Sequence, residues 1–417
     1  MKTIAVIGAG ISGLAAAYFL SRRHRVHLFE RDTKLGGHTN TVMVDDPNGT
    51  AVPLDTGFLV HNDRTYPNLV RLFDDLDVPT RDSDMSFAVS CRESGLEYSS
   101  RGANGFFAQR QNIVNPSHLT LLRDILRFNR EAPVLLDAPN AEAQTLGDFL
   151  DSRGFGEHFT SRYLYPMASA IWSTAPDAIR SFPAVTLIRF FDNHGLLSVT
   201  GQPTWKVVDG GSHTYVPKLA LPLAADVHTG ALIDRVRRGD REVTITFRDR
   251  PSVLCDDIVF ACHGDQVLPL LDDPSDLERD VLSNFTTSTN VACLHTDGSV
   301  LPALERARAS WNYLAGADAD APPVVTYDLN RLQGLTTSEQ YCVTLNPNGC
   351  VDEDRVLGRF VYQHPLYTRA AVGAQRRWHE VSGVNRTHYC GAYWSYGFHE
   401  DGLNSAIRVA GALGVTW

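Results

Sequence analysis

Lysine is nearly missing from this 417-residue chain: Lys2, Lys34, Lys206 and Lys218 are the only ones, and arginine carries almost all of the positive charge. Chemistry that needs a lysine beyond residue 218 is therefore excluded. The net charge of −10 shows no basic footprint, so nucleic acid is not an expected partner. Seven cysteines, an odd number without C-x-x-C spacing, argue against a disulfide framework; they read as reduced thiols, and no metal site is expected. No apolar run reaches the roughly 18 residues of a membrane span. The chain enters its first strand at once, leaving no room for a signal peptide. A cytoplasmic location is expected, with peripheral contact at the inner membrane surface left open. No internal repeat or low-complexity segment is present. One glycine fingerprint exists; Gly210-Gly211 and His263-Gly264 are too sparse to make a second.

That fingerprint organises what is there. Ile4 to Ile7 is a short apolar run of the kind found in buried parallel strands. Gly8-Ala9-Gly10-Ile11-Ser12-Gly13 follows, then an alanine-rich helix, then a second strand, Val26 to Phe29, closed by Glu30. Gly8 suits the tight turn, Gly10 lets backbone approach a pyrophosphate, and Gly13 lets helix and strand pack closely. The phosphates would rest on free N–H groups at the positive end of the helix. Glu30 follows at the usual offset of about 20 residues for an acid that bonds a ribose hydroxyl. A bound dinucleotide is expected.

Further on, Thr41–Val44 and Ala51–Leu54 flank the turn signal Asp45-Asp46-Pro47-Asn48-Gly49 and predict a hairpin. Tyr66 to Leu76 has helical spacing with Pro67 at a first-turn position. Strands are predicted at 87–91 and 95–98. Helices are predicted at 117–131 and 145–153, with Ser117 and Thr145 as caps. Tyr163 to Trp172 and Val185 to Phe191 are apolar and aromatic enough to line a tunnel, although ordinary helix core explains any single residue there. A strand at 205–208 leads through Gly210-Gly211 into a helix, and further strands are expected at 226–229, 243–247 and 257–262. Residues 315–323 read as a loop.

With Glu30-Arg31 followed by Gly36-Gly37-His38-Thr39, the chain resembles the FAD-dependent amine oxidases, phytoene desaturases and protoporphyrinogen oxidases. In that family the segment after the acid runs along the adenosine and pyrophosphate of FAD; relatives carry Arg where this chain has His38. Asp55-Thr56-Gly57-Phe58 resembles a passage close to the flavin, though Asp55 reads equally well as a turn residue. Gly391 and Asp401-Gly402-Leu403 resemble the strand end and the helix start that face the flavin's ribityl chain and N1/O2 edge. A helix start there can stabilise negative charge on reduced flavin. Relatives carry an acid near Ala392 and Tyr393, and this chain does not. The resemblance implies an α/β fold: a Rossmann-like FAD-binding domain (1–78, 205–266, 356–417) interleaved with an α+β substrate domain (79–204, 267–355).

Flavin supplies redox chemistry and the protein selects the substrate. Many amine oxidases place a lysine near flavin N5 from the later half of the substrate domain, and this chain has none there. Over nearly its full length it is similar to a bacterial branch of NAD/FAD-binding proteins that includes the desaturase of furan fatty acid biosynthesis. Gly397 to Gly402, Trp311-Asn312-Tyr313 and Leu294 to Asp297 carry that likeness. The branch is associated with fatty acyl methyltransferases, which implies a lipid or fatty acyl substrate and a methyltransferase as candidate partner. The expected reaction is hydride transfer from an allylic carbon to the flavin, as a desaturase or a double-bond isomerase. His399 and Glu400 are the leading base candidates, with FAD positioning as their alternative role. His295 and Tyr313 follow, and a core histidine is the simpler reading of His295. An amine oxidase with an altered site, or a non-catalytic flavoprotein partner of the methyltransferase, are the competing readings.

Overall fold

The computed structural model describes the chain except residues 140–143, 173, 199–200 and 317–321. The loop expected at 315–323 falls largely on the last of these, outside the described residues.

Five short strands form a wholly parallel sheet in the order Val227–His228, Arg25–Phe29, Thr3–Ile7, Asp257–Phe260, Thr387–Tyr389. Because side chains alternate along a strand, each strand serves two cores. Ile4, Val6, Leu28 and Val259 face one side; there they meet Leu14 and Phe19 of helix Ile11–Leu20 and Leu403, Ala406 and Val409 of helix His399–Ala412. Ala5, Ile7, Phe29, Ile258 and Phe260 face the other, against the antiparallel strands Ile233–Arg238, Val243–Phe247 and Val253–Cys255 and helix Asp276–Leu282. Burial on both faces is why these strands read as unbroken apolar runs.

A seven-stranded mixed sheet forms the second body. Its order is Val356–Pro365, Thr287–His295, Cys342–Leu345, Val324–Asp328, Trp311–Ala315, Phe87–Cys91, Leu96–Ser99. Only the pair 311–315 and 87–91 is parallel. Helices between residues 116 and 193 cover it and complete the largest core. Strand Val356–Pro365 pairs along Thr287–His295. It therefore lies with this sheet, and the expected division at 355/356 is corrected.

Local signals held where they were chemically specific. The hairpin forms as Thr41–Asp45 against Ala51–Asp55. Thr145 caps helix Leu146–Ser152 in a reciprocal box with Asp148. The cap of helix Pro116–Glu131 is Asn115, whose side chain accepts from Ser117 N–H at 3.1 Å, and not Ser117 itself. Pro116 occupies the first helical position and shifts the start back by one residue.

Candidate active site and cofactor groove

The glycine turn has the geometry its spacing implies. Gly8 adopts φ +98°, which favours glycine, and a Cβ there would stand 2.9 Å from the Ala261 backbone. At Gly13 a Cβ would stand 1.8 Å from the Gly8 carbonyl oxygen, so helix and strand touch through backbone. At Gly10 a Cβ would meet nothing within 4 Å, because it would project into a groove. Helix Ile11–Leu20 starts at Gly10 with no side-chain cap and no acid in its first turn, so its leading N–H groups are free for an anion.

The groove is a cavity of about 390 Å³ along Gly8, Ala9, Gly10, Ile11 and Ser12, then Glu30 and Arg31, then Gly36, Gly37 and His38. Gly391 to Tyr393 and Gly397 to His399 close its far end. Glu30 is held as a wall: its carboxylate accepts from Ala9 N–H at 2.7 Å and Asp32 N–H at 3.0 Å. A second cavity of about 230 Å³ opens from the same end. The two share His38, Pro365, Gly397, Phe398 and His399, so whatever lies in the groove can face whatever enters the cavity.

Phe58, Thr56 and Gly57 line the second cavity, along with Met167, Ala170, Ile171, Trp172 and Phe190 from the two stretches expected to form a tunnel. Trp311, Tyr327 and Leu345 come from the seven-stranded sheet. No Asp, Glu, Lys or Arg lines it among the described residues. All four lysines are engaged elsewhere: Lys2 with Asp257, Lys34 with Asn40, Lys206 with Asp82, and Lys218 with the carbonyls of Leu76 and Asp77.

His399 stands at the junction. Its ring stacks on Phe58 at 3.7 Å, and its Nε2 lies 3.0 Å from Thr39 Oγ1, which lies 2.5 Å from the Tyr215 hydroxyl. Burial, with His61 nearby, pushes its pKa down to about 3. His364, buried next to His263, is pushed down to about 4, and burial with His364, His263 and His399 around it holds His38 well below the ordinary value. The imidazoles at the junction are therefore neutral, and an apolar wall has neutral polar points set into it.

The other base candidates are not brought there. Glu400 turns away from both cavities and caps a neighbouring helix: its oxygens accept from Asn68 N–H at 3.1 Å and Leu69 N–H at 2.8 Å, at the start of Pro67–Asp75. That helix lacks a capping side chain of its own, which explains why a carboxylate is buried here. His295 is a core residue; its Nε2 lies 2.7 Å from Thr344 Oγ1 and its Nδ1 accepts from Asp297 N–H. Tyr313 is buried in its strand and lines neither cavity.

Several residues expected to touch the cofactor shape the groove from behind it. Asp55 is buried and accepts from Thr41 Oγ1 and from the Ser212 amide and hydroxyl, pinning the hairpin to the Gly210-Gly211 turn; desolvation raises its pKa to about 6. Asp401 accepts from Phe398 N–H at 2.9 Å and holds the turn that carries Gly397 to His399. Gly402 and Leu403 pack against helix Ile11–Leu20 and its core. Sequence reading missed His194, Tyr362, His364 and the groove rim at Ala231 to Ile233. These residues come from distant strands and helices and carry no local motif.

The sequence profile of the flavin-containing amine oxidoreductases matches residues 11–336. A carotenoid phi-ring synthase of Streptomyces griseus is 32% identical over 170 residues, 37% of this chain and 32% of that protein. The chain spans about a third to about half the length of the curated relatives it matches. Among solved structures, cyclohexylamine oxidase of Brevibacterium oxydans superposes with a TM-score of 0.71 at 14% identity, over 99% of both chains. The CLA-producing fatty acid isomerase of P. acnes does so with 0.68 at 15%, over 97% of both. The cofactor is FAD, and an open groove at Gly10, uncapped N–H groups on the following helix and a fixed Glu30 are a fit for its pyrophosphate and ribose. The two-body α/β fold, the groove and the profile together establish that the chain belongs to the flavin-containing amine oxidoreductase family.

Proposed function

We propose that the substrate is a long apolar chain, a fatty acyl group, and that the reaction desaturates it or moves a double bond along it. One observation carries this reading: the cavity that joins the groove at His399 is walled by aromatic and aliphatic side chains and holds no ionised group among the described residues. An ammonium substrate would leave its charge unpaired there, at a desolvation cost of several kcal/mol. An alkyl chain loses nothing and gains about 0.8 kcal/mol per buried methylene. The carotenoid and fatty acid relatives named above act on apolar molecules and support the same choice.

Bound FAD supplies a hydride acceptor. The chain's own residues hold the substrate against it and exclude water. His399 positions: the Tyr215–Thr39–His399 series of hydrogen bonds and the stack on Phe58 fix the ring. With a pKa near 3 the imidazole does not take up a proton at neutral pH. Isomerisation returns hydrogen to the chain and needs no protein base, whereas desaturation must dispose of a proton. The site therefore favours isomerisation. Trp311 Nε1 and Tyr367 Oη, buried without a partner among the described residues, are donors available to a polar group on the substrate.

The test is anaerobic mixing of the yellow holoprotein with unsaturated acyl lipids or with amines, followed by mass spectrometry and the flavin spectrum. A product of unchanged mass with a shifted double bond is expected. A product lighter by two hydrogens, with lasting bleaching, selects desaturation. Bleaching by amines alone overturns the proposal. No turnover, with tight binding to a fatty acyl methyltransferase, selects the non-catalytic reading.

A further inference from the structure

On the face of the parallel sheet away from helix Ile11–Leu20, three side chains converge at its outer edge. His27 and Phe29 point to the same face of strand Arg25–Phe29, and His228 sits beside Phe29 on the edge strand. The rings of His27 and His228 lie 5.7 Å apart, and Phe29 packs against His228 at 4.9 Å, which fixes the orientation of that imidazole. Asp226 precedes the edge strand and brings Oδ1 to 3.2 Å from His27 Nδ1. His228 Nε2 lies 3.5 Å from the same His27 Nδ1. The three ligand atoms all lie within 4.8 Å of one another.

We propose that His27, Asp226 and His228 bind a divalent transition ion of zinc-like preference. Donors held at about 2.1 Å around a tetrahedral ion stand about 3.4 Å apart, and two of the three edges here already have that length. Two imidazoles and one carboxylate are a donor set for zinc and its neighbours rather than for calcium or magnesium, which take oxygen. All three residues are half-buried, so a fourth position is open to water. Among the described residues, the one cation bonded to this cluster is Arg25, whose Nη2 lies 3.3 Å from Asp226 Oδ1 on a largely exposed side chain that can swing aside.

None of the three ligands lines the FAD groove or the apolar cavity, although Phe29 beside them lines the groove. Its consequence is mechanical. The edge strand pairs with its neighbour over two residues only, Val227 with Leu28 and His228 with Phe29. An ion bridging His27 to Asp226 and His228 would clamp that short pairing. The next ladder bond, Glu30 N–H to the His228 carbonyl at 2.8 Å, anchors the acid that walls the groove. Sequence spacing could not reveal this cluster, because about 200 residues separate His27 from its partners.

The experiment uses full-length holoprotein stripped with chelator and titrated with Co²⁺ and then Zn²⁺. One equivalent of Co²⁺ is expected to give the d–d absorption of a four-coordinate nitrogen and oxygen site, beyond the flavin bands and without thiolate charge transfer. Zn²⁺ is expected to displace it and to raise the melting temperature. His27→Ala and His228→Ala should each weaken binding by at least about tenfold while the flavin spectrum is unchanged. His228→Gln serves if the alanine variant does not fold. Affinity unchanged in both histidine variants, thiolate charge transfer from any of the seven cysteines, or no uptake of one equivalent would overturn the proposal.

Discussion

Gly402 lies against Ser12 so closely that a Cβ on it would stand 2.8 Å from the Ser12 hydroxyl and 2.9 Å from Ile11 Cγ2. The helices that open at the two ends of the chain's cofactor machinery therefore meet at their first turns. Gly402→Ala is expected to force them apart, costing about 1–3 kcal/mol as overpacking does. FAD content should fall with it, as read by the flavin-to-protein absorbance ratio and a thermal melt. Gly411→Ala, on the same helix with open space around it, should instead stabilise by about 0.5–1 kcal/mol. Equal behaviour of the two variants would refute a special role for the crossing.

Gly10 separates folding from cofactor binding. Its φ of −73° suits any residue, and a Cβ would enter the groove without touching protein. Gly10→Ala should leave the apoprotein melting temperature unchanged and weaken FAD by about tenfold or more, the equivalent of one forced contact of about 1–3 kcal/mol. Fluorescence titration of the apoprotein with FAD checks this.

Asp55 and Asp401 give stability a dependence on pH. Desolvation raises both carboxyls to about 6 in the folded chain, against about 4 when unfolded. Between these values the folded chain binds more protons than the unfolded one. Each group's favourable contribution is thus complete below pH 4 and is lost as pH rises through 6. Asp401→Asn keeps an acceptor for Phe398 N–H without the charge. It should exceed the parent protein by about 2–3 kcal/mol at pH 8, and the difference should vanish near pH 4. Urea unfolding of both proteins at several pH values is the measurement, and a constant difference would contradict the assignment.

Glu400 is a cap and not a base. Glu400→Ala removes the acceptor from the Asn68 and Leu69 amides and should cost about 1–2 kcal/mol. The flavin spectrum and the pH profile of turnover should not move. A lost basic limb in that profile would restore Glu400 as a proton acceptor.

What could be read from the residues in order was whatever near neighbours decide. The turn at Gly8 to Gly13, the acid at Glu30, the hairpin at 41–55 and the Thr145 cap rest on backbone sterics and bonds spanning a few residues, so the FAD groove was legible before any coordinate. The apolar character of 163–172 and 185–191 was legible too, but that they line one cavity with Trp311 and Tyr327 was not. Strand 311–315 finds its place beside 87–91 through a pairing more than 200 residues apart, which is chosen by the packing of the whole sheet. The same holds for the histidines. Sequence put His399 first and His295 behind it and gave no signal at His27 or His228; burial and neighbours make His399 a neutral ring at the junction of the two cavities, His295 a core residue, and His27 and His228 a pair with Asp226. Side-chain chemistry is local, whereas the dielectric and the partners that tune it are set by tertiary contacts.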